Sequence, residues 1–196
     1  MTDAITAPFS KRLKARTTET HDRLDRRIMA ADPFGHRDRY GRFLKVQQQF
    51  HRDVDALYAW PELAVVVPDL AGRRRLDAIL GDLGDLGLSP PAPDRQARFG
   101  AAEPAALPVA LGWLYVVEGS NLGAAFLFKA AAALGLNAEF GARHLAGHPD
   151  GRAAHWRTFT GALDGLDLDE EQEARAIAGA KAAFDRVHAL IDVHLA

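Results

Sequence analysis

Leu111-Gly112-Trp113-Leu114-Tyr115-Val116-Val117-Glu118-Gly119-Ser120-Asn121-Leu122-Gly123-Ala124-Ala125-Phe126-Leu127-Phe128-Lys129 is the stretch that decides the fold. Its apolar residues recur with helical period, yet two glycines, Gly119 and Gly123, sit in its middle. A glycine inside a helix costs roughly 1 kcal/mol relative to alanine, so something should compensate for the pair. Four residues apart, the two glycines share one helix face. Ser120 and Ala124 widen that face into a strip without bulky side chains, which lets another body approach the backbone closely. That body could be a neighbouring helix, a membrane partner helix or a flat ligand. Glu118 and the segment length exclude the membrane helix. The other two readings stay open on this stretch alone. Glycines also permit a local kink, so the helix could bend across a planar ligand.

Outward from this segment the pattern is helical nearly everywhere, and strand alternation is absent. The spacing predicts helices over residues 10–30 with Ser10 as N-cap, 37–58, 69–83, 105–134, 151–163 and 169–195. Asp32-Pro33-Phe34-Gly35 and Trp60-Pro61 break the run. Val65-Val66-Val67 is too short and too near Pro68 to carry a sheet. Residues 84–103, rich in Gly, Pro and Asp, read as a connection, and Asp169-Glu170-Glu171 suits a helix N-terminus. The expectation is an all-α, single-domain helical bundle over residues 10–196, after a flexible N-terminus at 1–9.

The 196 residues include 48% apolar ones, enough for one substantial core. A net charge of −2 makes no demand for a nucleic-acid partner. The charge is uneven: residues 1–60 hold 12 Lys+Arg against 8 Asp+Glu, and residues 61–196 hold 12 against 18. The basic N-terminal part would suit an anionic ligand or an acidic partner. There is no cysteine, which removes disulfides, thiolate catalysis, Fe–S clusters and thioether haem attachment. The start, Met1-Thr2-Asp3-Ala4, lacks the basic and apolar character of a signal peptide. The longest uncharged apolar piece, residues 104–117, is 14 residues with two prolines, short of a membrane span. A cytoplasmic protein with no membrane contact is expected.

The run from Leu111 to Phe126 resembles the distal helix of the bacterial haem oxygenases. In that family the glycine backbone lies over the haem and leaves room for dioxygen. Leu13-Lys14-Ala15-Arg16-Thr17-Thr18-Glu19-Thr20-His21 resembles the family's proximal helix, whose histidine binds the iron. Residues 32–51 and 141–159 are similar more loosely, so the resemblance covers most of the chain. It implies haem b, bound non-covalently between a proximal and a kinked distal helix as both cofactor and substrate. It implies cleavage with O2 and reducing equivalents to biliverdin, Fe2+ and CO. The donor it implies is a ferredoxin or ferredoxin reductase, serving an enzyme that is expected to be monomeric.

The resemblance makes His21 the iron ligand and Gly119 and Gly123 the floor of the distal pocket. His21 lies on a helix with Leu13, Leu24 and Ile28 apolar, and imidazole is a suitable neutral ligand for haem iron. Lys14, two turns earlier on nearly the same face, is implied to meet a propionate. Tyr115 is one turn before Gly119 and may be read either as its partner there or as a structural residue. Together they imply cleavage at the α-meso position. Glu19 or Asp25 could hydrogen-bond the second nitrogen of His21. Eukaryotic relatives place an aspartate after the first distal glycine, where Ser120 stands here. Water held by Ser120, Asn121 and backbone carbonyls then forms the proton path.

Phe126 and Trp113 read as core. His144 and His148 are four apart, but Gly147 and Pro149 point to a loop, so both read as structural. His51, His155, His188 and His194 carry no distinguishing context. A di-iron carboxylate oxidase would need Glu-x-x-His, and Asp185-Arg186-Val187-His188 is the only near match. A haem-binding sensor of the same fold, or a helical bundle with no ligand, are the non-enzymatic alternatives.

Overall fold

Seven α-helices are described between residues 7 and 196 of this computed structural model. They are α1 Phe9–Ala31, α2 Arg37–Val54, α3 Pro61–Val66, α4 Leu76–Asp85, α5 Leu107–Ala133, α6 Arg152–Asp164 and α7 Glu170–His194. No β-strand occurs among the described residues; the all-α expectation holds. Residues 1–6 of the expected flexible terminus lie outside the described residues, whereas Phe9 is buried as the first residue of α1.

Boundaries differ from the sequence reading where tertiary contacts decide them. Ser10 does not cap α1. The helix starts one residue earlier behind Pro8, and Ser10 donates its backbone N–H (2.7 Å) and its hydroxyl (2.9 Å) to Asp164 at the end of α6. A carboxylate from another helix thus satisfies a free amide of the first turn. After Val54 the chain tightens into a 3-10 turn, Asp55–Ala59, and Pro61 then opens α3. The helix expected from residue 69 starts only at Leu76. Asp69 adopts a left-handed conformation (φ 53°), and a 3-10 turn, Ala71–Arg73, turns the Arg73 side chain inward. Asp169 closes a capping box with Gln172 at the start of α7.

Helix α7 is the beam on which α1, α2 and α5 lie, and α1 and α5 rest on it rather than on each other. The contact of α5 with α7 is made by glycines. A Cβ on Gly112 would stand 2.0 Å from Ala176 O, and one on Gly179 would stand 2.5 Å from Val109 O. Residues 111–118 are all buried, with Trp113 stacked on Phe50 and edge-on to Phe99. Beyond Glu118 one side of the helix opens: Ser120, Leu122, Gly123 and Ala125 are exposed, while Ala124 and Ala131 stay buried. Phe126, read as core from the sequence, is 63% exposed because it falls on the open side of α5.

By length and composition α5 could cross a membrane, but its first half is the centre of the bundle. The connection after Asp85 has no helix until residue 104, yet it is fixed. Arg186 bridges Asp94 (2.6 Å) and Asp53 (2.7 Å), Arg95 also reaches Asp53, and Trp60 Nε1 donates to Gly100 O. Along its outer side α1 is fastened by Arg12–Glu173, Arg23–Asp185 and Arg27–Asp192.

Gly112→Ala should lower the stability of the ligand-free protein by about 3 kcal/mol, since backbone rather than a flexible side chain stands in the way. Urea unfolding of the ligand-free variant checks this; an unchanged midpoint would show that α5 is not seated on α7 in this way.

Candidate functional site

The residues singled out from the sequence lie on two helices, α1 and the second half of α5. Leu13 and Leu24 bury α1 against the bundle, and His21 stays at the surface with its side chain 54% exposed. The His21 ring packs edge-on against Phe184 of α7, with centroids 5.8 Å apart. Its Nδ1 lies 3.4 Å from Asp22 Oδ1 and 3.5 Å from Asp25 Oδ2, which leaves Nε2 as the free nitrogen. Of the two acids weighed from the sequence, Asp25 is the one within reach. Asp22 was not foreseen, because adjacent residues on a helix do not ordinarily face one another.

On α5, Gly123 has nothing within 4 Å of where a Cβ would be, and Gly119 has only the edge of Trp156, 3.8 Å away. The helix-packing explanation of these two glycines therefore fails; that role belongs to Gly112 and Gly179. Trp156 also packs on Tyr115 (5.4 Å between centroids), so Tyr115, Trp156 and Gly119 form one surface. Burial pushes the Tyr115 phenol up from its ordinary value. Ser120 Oγ donates to Val117 O (2.7 Å) within its own helix. The backbone oxygen of Asn121 accepts from Arg152, while its side-chain Nδ2 is buried without a partner. Lys14 is exposed on α1, and no hydrogen bond joins it to Tyr115 among the described residues.

The Heme oxygenase family model matches residues 7–192. The haem oxygenase PigA of Pseudomonas aeruginosa is 47% identical over 186 residues, 93% of this chain and 91% of its own length. The crystal structures of the NO- and CO-bound haem oxygenase of Neisseria meningitidis include a chain that superposes with a TM-score of 0.90. It is 46% identical, and the match covers 97% of this chain and 93% of that one. The chain belongs to the haem oxygenase family.

As a haem oxygenase it degrades haem, which serves as cofactor and substrate, using O2 and reducing equivalents to give biliverdin, Fe2+ and CO. The donor set suits that group: an imidazole with one nitrogen free on α1 and, on α5, a helix surface that glycine keeps clear.

Behind the open half of α5 lies a buried polar cluster that sequence reasoning missed. Arg73 Nη1 donates to Glu118 Oε2 (2.7 Å), with both side chains 1% exposed. Arg73 also bonds Pro68 O and His155 O, tying the 3-10 turn, α5 and α6 together. The signal available was the lone acid in an apolar run, since a fully buried carboxylate nearly always has a partner. Burial first, then Arg73, holds the His155 imidazole down at about 4. His148 and His155 stack in parallel, 4.3 Å apart and 7° from coplanar orientation, with Asp69 nearby. Imidazole lone pairs lie in the ring plane, so parallel rings direct them side by side rather than toward a shared cation. His144 is structural as expected: its Nδ1 and backbone N–H both meet Asp82 Oδ2, at 2.7 and 3.0 Å.

Gly123→Ala should leave the ligand-free fold intact or stabilise it by up to about 1 kcal/mol. Gly123→Leu should keep its helical circular dichroism and melting temperature but lose haem binding or turnover. Collapse of ligand-free stability in either variant would return this glycine to a packing role.

Proposed function

We propose that haem b is held non-covalently between α1 and the second half of α5, with His21 Nε2 as the nitrogen that would bind its iron. The observation that carries this reading is the pairing of a half-exposed imidazole, acid-flanked at Nδ1, with a glycine surface that nothing covers. Bound haem supplies the iron at which O2 is activated and the carbon that is oxidised. Asp25 and Asp22 orient His21 by accepting from Nδ1, the usual support for a ligating imidazole. Gly119 and Gly123 bound the distal pocket and admit O2 by lacking side chains. Lys14 and Tyr115 take the propionates, so that the ring sits in one rotational setting. Ser120 and Asn121, with backbone carbonyls, hold the water through which protons arrive.

The chain has no cysteine to form a thioether with the ring, which supports non-covalent binding. We also propose an acidic electron donor, a ferredoxin or a ferredoxin reductase. Lys11, Lys14, Arg16 and Arg26 are exposed along α1, and complementary charge speeds such encounters. The working unit is one domain, residues 10–196, acting as a cytoplasmic monomer.

His21→Ala should lose the histidine-ligated haem spectrum and turnover, and added imidazole should restore both. An unchanged spectrum in the variant would overturn the ligand assignment.

The Lys14 and Tyr115 contacts set which meso carbon meets the distal side, and the α isomer of biliverdin is expected. Chromatography of the product is decisive: a predominance of the β or δ isomer would mean that other residues hold the propionates.

A further inference from the structure

Ser120 cannot supply the charge that eukaryotic relatives place after the first distal glycine, and its hydroxyl is already given to Val117 O. A carboxylate is nonetheless present one residue before that glycine. We propose that Glu118 is the positioning carboxylate of the distal side, anchoring a water in the small polar pocket behind Gly119. The proposal rests on the distal-pocket reading above.

One oxygen of Glu118 is occupied by Arg73 and lies 3.8 Å from His155 Nδ1; the other, Oε1, is buried without a partner. Three more buried atoms at the same place are unpartnered: Asn121 Nδ2, Arg75 Nε and His155 Nε2. These four residues line one pocket together with Leu122 and Trp156. It has room for about one water molecule. Buried polar atoms are nearly always satisfied, by protein or by ordered water. A single water donating to Glu118 Oε1 and accepting from Asn121 Nδ2 satisfies the acceptor and a donor at once. Trp156 is the wall shared with the distal side, since the same indole edges the Gly119 surface.

The charge around Glu118 is balanced rather than one-sided. Burial pushes its carboxyl up, while Arg73 and Arg75 hold it down and Asp69 raises it. His155, Tyr58, Arg152 and, stacked on His155, His148 also face this cluster. A proton exchanged with the adjacent water at Oε1 leaves the Arg73 hydrogen bond at Oε2 in place. Arg73 fixes Oε2, so only Oε1 is free to turn toward that water.

Glu118→Gln alone would leave Arg73 buried without a counter-charge, so the decisive variant is Glu118→Gln with Arg73→Gln. Arg73→Lys, which keeps the carboxylate and its charge partner, is the control. The double variant should melt cooperatively without haem and bind hemin within about threefold of the native protein. Its conversion of haem should fall about tenfold or more, with a displaced pH–rate profile. The Lys control should keep the native profile. In the ligand-free native protein, nuclear Overhauser contacts should link a long-lived water to the Asn121 side-chain amide, and the double variant should lack them. A double variant with native turnover and pH profile, or a native Asn121 amide with no long-lived water, would overturn the proposal. If the double variant does not fold, the native water measurement decides. The haem seat is judged separately by the His21→Ala spectrum, so failure of one reading is distinguishable from failure of the other.

Discussion

The structure depends on how closely α5 can lie against α7. Gly112 and Gly179 remove the side chains that would separate the two backbones, and each helix then presses on main-chain atoms of the other. Contact this close fixes the axis of α5 along its first half, and aromatic packing by Trp113 fixes its rotation. The second half continues the same helix, with Ala124 and Ala131 buried beneath it. Its exposed side is thereby held from the core, although little touches that side. A reaction surface needs this combination of accurate position and free access.

The change from buried to open occurs at Glu118. Paired with Arg73, it is the last fully buried residue before the glycine surface begins. Buried ion pairs are poor sources of net stability, because desolvation offsets most of the attraction. Their better-attested use is to specify one arrangement among several. Holding Glu118 toward Arg73 directs Gly119, about 100° further around the helix, to the opening. Arg73 extends this control to α6 through His155 O, and so to Trp156, which edges the same surface.

Much of this was legible in the sequence. Helical period, breakers and capping acids located the major helices, because those signals are local. The glycine pair, Gly119 and Gly123, stood out because its cost demanded a reason. What the pair faces was not legible, since Gly112, which packs, and Gly119, which does not, look alike in a string of letters. Resemblance to a family, not periodicity, pointed to a ligand there. Ser10 and Phe126 were misread for a related reason: the reach of Asp164 and the side of α5 left open are both facts of tertiary structure. Arg73, 45 positions from Glu118, could not be matched to it by any spacing rule.

The helix carrying His21 and the helix carrying the glycine pair are held by different physics. Helix α5 is clamped by close packing, which salt does not weaken. Helix α1 is also fastened by Arg12–Glu173, Arg23–Asp185 and Arg27–Asp192, pairs at or near the solvent boundary. Such pairs contribute little individually and are screened within about 8 Å at physiological ionic strength. Helix α1, which carries His21, therefore has two kinds of support: Phe9, Leu13 and Leu24 packed in the core, and an ion-paired side that added salt weakens. Ionic strength acts on one side of α1, and leaves the seat of α5 on α7 untouched.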